Sequence, residues 1–311
     1  MAEDPVGSEL PATALIATIR GWPQARDALA RLVPQAVALG GEVVVVDGSG
    51  RQPPGDDELA ELGAGPESVH WLSRPGESVF QLRRAGYRAA RGAVLAVTED
   101  HVFVEPGWLA GHVTAHARFP EAGAVGGAVL NGTNRKVIDW AAFFLTQGPF
   151  MPPLQNGVSA RISGAANVSY KRRVVDRLRD RGDEKQGLID FLEFPRALAG
   201  EQLVADDTLL VLHHQSQGLA GTSLAEFDNG RSIAGYRRRE MTRGDWLRIL
   251  LSPVLPLYRT VRQLRIVSRR DHPPGMIARA LPAHVWFQYC AMAGEVAGYL
   301  GGPGGSPRRL Y

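Results

Sequence analysis

Cysteine is almost absent from this sequence. Cys290 is the one thiol among 311 residues, which excludes a disulfide within the chain and any metal or redox motif built on paired cysteines. A chain without disulfides fits a reducing compartment.

Targeting and membrane-spanning signals are also lacking. Residues 1–12 are acidic and polar, without the basic and apolar regions of a secretory signal, which predicts that the folded part of the chain stays in the cytoplasm. The uncharged stretch from Ala280 to Gly294 is shorter than the roughly 20 apolar residues that span a bilayer. It therefore predicts an interfacial or re-entrant element rather than a spanning helix.

Composition sets the broad class. Hydrophobic residues make up 44% of the chain and charged residues 22%, which argues against general disorder. The net charge is +3 and the isoelectric point is near 9.2, so attraction to phosphate in a nucleotide, a lipid headgroup or nucleic acid is expected. Nucleic acid is disfavoured, because the arginine clusters lack interleaved stacking aromatics and no known module is present.

Strand and helix patterns alternate along the first half of the chain. Residues 12–19, 42–47, 69–72 and 93–98 have the apolar character of buried strands, and helical repeats separate them. This alternation predicts an α/β fold with a doubly wound, mostly parallel sheet flanked by helices. Ligands bind such sheets outside the carboxyl ends of the strands, where Asp47 and residues 99–101 fall.

The stretch RRAGYRAARGAVLAVTEDHVFVEPGWL resembles a segment of family 2 glycosyltransferases. That family has Arg-Asn-x-Gly, Ala-x-Gly, an apolar strand, a DxD-type acid cluster and a Pro-Gly-Trp-Leu turn. Arg83, Gly86, Ala90 and Gly92 occupy matching positions. The resemblance implies a GT-A fold and transfer of a sugar from a nucleoside-diphosphate donor.

The metal site that this resemblance implies is a variant. Aligned on the Pro-Gly-Trp-Leu turn, the two family acids fall on Glu99 and His101, so the motif is ExH in place of DxD. Carboxylate oxygen and imidazole nitrogen both suit Mn²⁺, with Mg²⁺ as the alternative ion. His213, after an apolar strand, is the expected third ligand, with His214 as the alternative in register. Asp100 is predicted to bind the ribose or the metal.

Other family positions imply a nucleotide-sugar site. Thr18 and Arg20 take the place of the segment that contacts the base, and Asp47 matches an acid that bonds uracil or ribose. Capping of the following turn is the structural alternative for Asp47. In SGAANVSYKR, which we expect to be a glycine turn feeding a helix, Gly164 and Asn167 match positions at the donor sugar or acceptor. The alternative for Asn167 is a helix cap.

The general base is the least defined part of the pattern. The family's acidic pair is not intact here, and the nearest carboxylates are Asp190 and Glu193, three residues apart on an expected helix that Pro195 kinks or ends. One of them, with Glu193 preferred, would deprotonate the acceptor hydroxyl in an inverting transfer. A solvated helix face is the alternative for both.

The C-terminal part has a different character. Arg259, Arg262 and Arg265 recur at helical spacing opposite Leu257 and Val261, which predicts a basic amphipathic helix at a membrane surface. The predicted domains are a disordered N-terminus (1–11), a GT-A domain (12–240), a helical membrane-associated tail (241–303) and a flexible C-terminus (304–311).

These features together predict a metal-dependent hexosyltransferase. It would use a UDP- or GDP-sugar and a glycan or lipid-linked acceptor, in cell-envelope polysaccharide or glycolipid synthesis at the inner face of the plasma membrane. A lapsed enzyme serving as a membrane scaffold is one alternative. A nucleotidyltransferase is another, disfavoured because ATIRGW replaces the glycine-rich loop of those enzymes.

Overall fold

The computed structural model describes residues 10–65, 67–179, 181, 187 and 190–310, with the backbone alone for residues 190–192. The predicted disordered N-terminus lies almost entirely outside this range. The elements of the first half are β1 (Ala12–Thr18), α1 (Trp22–Leu39), β2 (Glu42–Asp47), α2 (Asp56–Ala60), β3 (Val69–Ser73), α3 (Val79–Ala89), β4 (Val94–Glu99), β5 (Val102–Val104), α4 (Trp108–Arg118) and β6 (Ala122–Asn131).

The second half contains short strands and then helices. Its elements are α5 (Val137–Thr146), β7 (Gly157–Val158), β8 (Val168–Lys171), α6 (Arg172–Arg179), α7 (Asp190–Ala197), β9 (Gln202–His213), α8 (Gly218–Arg237), α9 (Arg243–Leu250), α10 (Leu255–Val267) and α11 (Met276–Gly301). Three 3-10 helices cover Gly148–Phe150, Arg238–Glu240 and Ser306–Arg308.

One central sheet organises the described part of the chain. Its order is β3-β2-β1-β4-β8-β6-β9-β5, and β7 pairs with β9. Strands β1 to β4 run parallel, as do β6 and β9, whereas β5, β7 and β8 are antiparallel to their neighbours. The prediction of a mostly parallel sheet with flanking helices is confirmed.

Strand β2 shows why the valine run does not alternate with polar residues. Val43 and Val45 pack into the core that contains α1, and Val44 and Val46 pack into the core on the opposite face with α3. Both faces of a central parallel strand are covered, so every side chain along it is apolar.

Two glycines of the family-like segment approach β1 closely. A Cβ at Gly86 would lie 2.3 Å from Leu15 Cδ1, and a Cβ at Gly92 would lie 2.3 Å from the Ala12 carbonyl carbon. Both positions require glycine for close approach, because real side chains cannot enter such contacts.

The segment SGAANVSYKR differs from its prediction. It does not feed directly into a helix, because Val168–Lys171 forms β8, which inserts antiparallel between β4 and β6 before α6 begins at Arg172. Pairing on both sides decided the conformation, which a local helical pattern could not reveal. Further along, α7 ends two residues after Pro195.

The uncharged stretch of the tail is used for helix packing. Helix α11 lies along α8 and α5, and it buries Ala280, Phe287 and Met292. No helix in the described ranges is long and apolar enough to cross a membrane. Arg259, predicted on an exposed basic face, instead forms a forked ion pair with Glu295 of α11, with one N···O distance of 3.0 Å.

The end of the chain also packs on the fold. Ser306 is buried and donates a 2.6 Å hydrogen bond to Asp228 of α8, and Leu310 is buried near α3. These contacts differ from the flexible C-terminus expected for residues 304–311.

Helices α9 and α10 leave many apolar side chains in solvent. We call this set the α9–α10 surface, and its members are Trp246, Leu247, Leu250, Leu251, Val254, Leu257, Tyr258 and Val261. Leu264, also on α10, packs against the core instead.

Candidate metal and nucleotide-sugar site

Strand pairing brings three side chains together at one edge of the sheet. Glu99 is the last residue of β4, and His101 stands in the turn that follows. The next strand, β5, pairs antiparallel with β9, so that Val102 lies opposite His213 and the His214 N–H donates to the His101 carbonyl over 2.9 Å. The fold thus places His213 beside His101, although 112 positions separate them in sequence.

The three side chains form a compact cluster with potential metal ligands. Glu99 Oε2 lies 3.6 Å from His101 Nε2 and 3.6 Å from His213 Nε2, and all three residues are buried. Ligands about 2.1 Å from one ion are separated by roughly 3.0–3.5 Å, close to these spacings. His101 Nε2 has no hydrogen-bond partner in the described residues. This donor set fits a divalent cation.

His214, the alternative in register, does not belong to this cluster. Its ring packs at 4.3 Å between centroids on Phe103 and lies against Gly132. The pairing of β5 with β9 therefore selects His213, whose ring is 4.7 Å from that of His101.

Asp100 contacts the ring of His101 on the side away from Glu99 and His213. Its Oδ1 lies 2.8 Å from His101 Nδ1, and its Oδ2 accepts a 2.6 Å hydrogen bond from Thr18 Oγ1. A carboxylate only accepts, so Nδ1 carries the hydrogen, and in the neutral ring Nε2 keeps its lone pair for a ligand. The structure thus gives Asp100 a role in orienting His101, whereas the sequence suggested contact with ribose or metal.

The local charges hold Glu99 ionised. Burial alone would raise the pKa of Glu99, but contact with His213 and the charges of His101 and Arg83 lower it to about 2. Burial lowers the pKa of His213, which favours the neutral ring that binds metals. For His101, burial is outweighed by the hydrogen bond to Asp100 and the charge of Glu99, and the pKa is raised.

A cavity of about 740 Å³ opens beside the cluster. Arg83 and Glu99 line it from the sheet side, and Arg83 donates a 3.2 Å hydrogen bond to Glu99 Oε1. Gly164 also lines it, with no atom within 4 Å of the position where a Cβ would stand. Helix α10 closes the other side with Arg259 and Arg262. The cavity is large enough for a sugar nucleotide.

The predicted base-contacting residues lie at the ends of β1 and β2. Thr18 is buried and accepts from the backbone N–H groups of Arg20 and Gly21, so its hydroxyl joins the turn after β1 to Asp100. Asp47 Oδ1 accepts from the Ser49 N–H over 2.7 Å, which matches the turn-capping alternative. Its buried Oδ2 has no partner in the described residues, which leaves an acceptor for a ligand.

Asn167 is inside the protein rather than at the cavity. Its amide oxygen accepts from Trp108 Nε1 and His112 Nε2, and its NH₂ donates to the carbonyls of Ala128 and Leu209. The side chain is fully buried and its hydrogen-bonding capacity is used within the fold. The structure therefore differs from the expected contact with sugar, and it is not a helix cap either.

Glu193, the preferred base, is not brought to the cluster. Glu193 Oε2 lies 3.4 Å from Arg181, and its Oε1 lies 3.6 Å from Arg196. Glu193 does not line the 740 Å³ cavity. The side chain of Asp190 lies outside the described residues.

Sequence reasoning did not identify two other acids near the cluster. Asp139 of α5 and Glu226 of α8 are both buried, and with Glu99 and His213 they line a smaller cavity of about 90 Å³. The Asp139 carboxylate accepts a 2.9 Å hydrogen bond from Ser216 through Oδ1 and leaves Oδ2 without a partner in the described residues. In the sequence, small or apolar residues flank each acid. This is the one local feature that could have indicated a buried carboxylate.

Comparison of the fold with solved structures finds glycosyltransferases. The mannosyltransferase PcManGT from Pyrobaculum calidifontis, determined in complex with GDP-Man and Mn²⁺, aligns with a TM-score of 0.54 and 14% identity over 94% of this chain and 87% of that one. The structure of S. aureus TarS 1-349 aligns with a TM-score of 0.50 and 9% identity over 93% and 90% of the two chains. The chain therefore has a glycosyltransferase fold.

Sequence comparison gives no closer assignment. No protein-family model matches the chain, and no curated protein matches it.

Proposed function

We propose that this chain is a metal-dependent glycosyltransferase of the family 2 type that transfers a hexose from a nucleoside-diphosphate sugar to an acceptor hydroxyl. The observation that carries the proposal is the buried cluster of Glu99, His101 and His213 beside the 740 Å³ cavity. A protein of the same fold was determined with GDP-Man and Mn²⁺.

Glu99, His101 and His213 would hold a divalent ion, Mn²⁺ or Mg²⁺, as an ExH variant of the DxD site. When bound, such an ion neutralises charge on the leaving diphosphate. Asp100 fixes the tautomer of His101 through its hydrogen bond to Nδ1, which presents Nε2 to the ion. Arg83, held against Glu99 at the wall of the cavity, supplies a further positive charge near the diphosphate.

The donor nucleotide would lie along the carboxyl ends of β1 and β2. Asp47 offers the unpaired Oδ2 to the base or ribose, and Arg20 stands in the adjoining turn. Gly164, open to the cavity, permits the sugar to approach the backbone. UDP and GDP donors are both consistent with this arrangement.

The transfer would be inverting, with one displacement at the anomeric carbon. The sequence assigns the base to Glu193 or Asp190, and that assignment remains a prediction. The ion pairs of Glu193 with Arg181 and Arg196 favour its alternative as a surface residue of α7.

The acceptor would be a glycan or lipid-linked molecule at the inner face of the plasma membrane, as in cell-envelope synthesis. The α9–α10 surface supports this part of the proposal, since Trp246, Leu250 and Tyr258 are 59, 75 and 62% exposed. Exposed apolar residues together with arginines such as Arg248 and Arg262 suit an anionic interface. The division into a GT-A domain (12–240) and a membrane-associated tail (241–303) belongs to the same proposal.

Calorimetric titration of the protein with UDP and with GDP, with and without Mn²⁺, tests the proposal. We expect one nucleotide to bind in a metal-dependent way, and Glu99→Ala and His101→Ala to lose that binding. Glu121→Ala, at an exposed position, is the control and retains it. Failure of both nucleotides to bind the wild type would favour a lapsed enzyme that serves as a scaffold.

A further inference from the structure

Helix α8 carries a buried carboxylate, that of Glu226. Glu226 is 8% exposed, and in the ranges that the structure describes its side chain makes no hydrogen bond or ion pair. An unpaired buried carboxylate destabilises a fold, so its presence calls for a use.

The position of Glu226 connects two cavities at the metal cluster. It lines the 740 Å³ cavity with Arg83, Glu99 and Gly164, and it also lines the 90 Å³ cavity with Glu99 and His213. A molecule that fills the larger cavity beside Glu99 therefore lies within reach of this carboxylate.

The surroundings of Glu226 favour proton exchange near neutral pH. Burial raises its pKa to about 7. The charged or titratable groups that share its cavities or lie close to it are Arg83, Glu99, Asp139, Arg161, His213, Arg259, Arg262 and Cys290. Arg259 is neutralised by Glu295 and Arg83 is paired with Glu99, so neither holds Glu226 in its ionised form. A carboxylate in such an environment is an efficient proton acceptor.

The other carboxylate candidate has the opposite environment. Glu193 is between two arginines, Arg181 and Arg196, and it lines neither of the cavities at the cluster. Its two carboxylate oxygens face these arginines rather than the cavities beside Glu99.

We infer that Glu226 is the general base of the transfer, and this rests on the proposed glycosyltransferase function. The acceptor hydroxyl gives its proton to a Glu226 carboxylate oxygen as its own oxygen bonds to the anomeric carbon. The bond between that carbon and the diphosphate oxygen breaks, and its electron pair leaves with the nucleoside diphosphate. Glu226 then releases the proton to water.

The test uses two nucleophiles and an isosteric substitution. Release of nucleoside diphosphate from UDP-glucose and from GDP-mannose is measured with Mn²⁺, first with water and then with sodium azide as acceptor. Azide carries no proton, so it needs no base. We expect Glu226→Gln to lose the reaction with water by about 10²- to 10⁴-fold, and to retain the reaction with azide, giving a glycosyl azide of inverted configuration.

Matched variants separate this role from a structural one. Glu121→Gln, at an exposed position, is expected to react with water within about threefold of the wild type, and Glu226→Gln to bind nucleotide with unchanged affinity. Loss of both the water and azide reactions in Glu226→Gln, or retention of both, would reject the base assignment. The base assignment would also be rejected if the wild type bound nucleotide but reacted with neither water nor azide. Absence of nucleotide binding in the wild type would instead reject the proposed function itself.

Discussion

Asp100 and His101, neighbours in sequence, are joined by a 2.8 Å hydrogen bond between carboxylate Oδ1 and ring Nδ1. Thr18 holds the second carboxylate oxygen from the end of β1. The ring of His101 is thereby fixed, with Nε2 directed at the same oxygen of Glu99 that faces His213. The cluster depends on this second layer of contacts.

Asp100→Asn tests that dependence. An asparagine amide can donate to Nδ1 of His101, which the carboxylate cannot do. Such a hydrogen bond favours the tautomer with the hydrogen on Nε2, and Nε2 then cannot bind a metal. We expect the affinity for Mn²⁺ to fall by about 10- to 100-fold, as is usual for supporting residues. Titration of free Mn²⁺ by electron paramagnetic resonance measures it. Glu105→Gln, in the turn before α4, is the control, and equal affinities in the two variants would contradict the role of Asp100.

Acid should unfold the protein through its buried histidines. Burial lowers the pKa of His112 to about 3, of His116 to about 4 and of His284 to about 4. In the unfolded chain these histidines have pKa values near 6.5, so below that pH the unfolded chain binds protons that the folded chain does not. The free energy of unfolding is therefore highest above about pH 6.5 and declines as pH falls towards 4.

Each of these histidines contributes up to about 1.4 kcal/mol of loss per pH unit in that window. Urea unfolding at pH 7.5, 5.5 and 4.5 measures the decline. His116→Gln should reduce the slope. A stability independent of pH between 7.5 and 4.5 would contradict the burial of these rings.

Replacement of Glu226 should stabilise the fold at alkaline pH. Its pKa is raised from 4.5 to about 7, so the folded state holds a proton that the unfolded state has lost between these values. The destabilisation of the folded state by the Glu226 carboxylate is absent below about pH 4.5 and complete above about pH 7.

At pH 8 we expect Glu226→Gln to exceed the wild type by up to roughly 3 kcal/mol, and to match it at pH 4. Urea denaturation at both pH values measures the difference. Glu193→Gln, which loses two ion pairs at a partly exposed site, should instead lower stability by up to about 1 kcal/mol. A Glu226→Gln variant that is less stable at pH 8 would show that the carboxylate has a stabilising partner.

The packing of α8 against α11 should not tolerate a single methyl group. A Cβ at Gly294 would lie 2.0 Å from the Phe227 carbonyl oxygen. Gly294→Ala must separate the helices, and we expect a loss of about 1–3 kcal/mol or more by thermal or urea unfolding. Gly301→Ala, in the same helix with nothing within 4 Å of the new methyl, should be neutral or slightly stabilising. Equal stabilities would contradict this helix contact.

The α9–α10 surface should bind anionic lipid. At low salt, the wild type should sediment with vesicles that contain phosphatidylserine. The double variant Trp246→Ser with Leu250→Ser should remain in the supernatant. Val158→Ser, which changes an equally exposed apolar residue on β7, is the control. If the wild type does not sediment with vesicles, the membrane part of the proposed function fails and the metal site is unaffected.

The sequence by itself determined the parallel half of the sheet and the positions of Glu99 and His101 at its edge. Local information was enough there, because a strand covered on both faces must be apolar throughout and polar residues mark where it ends. Gly86 and Gly92 were also recognisable as matches to the family segment, and the structure supplied the reason, which is close approach to β1.

Tertiary structure alone decided the rest. Only the antiparallel pairing of β5 with β9 chose His213 over His214, and only the insertion of β8 buried Asn167 among Trp108 and His112. The packing of α11 on α8 explained an uncharged stretch that predicted membrane contact, and the position of α8 brought Glu226 to the cavities that Glu99 lines. These contacts join residues far apart in the chain, and a local pattern contains no information about which distant surface will cover it.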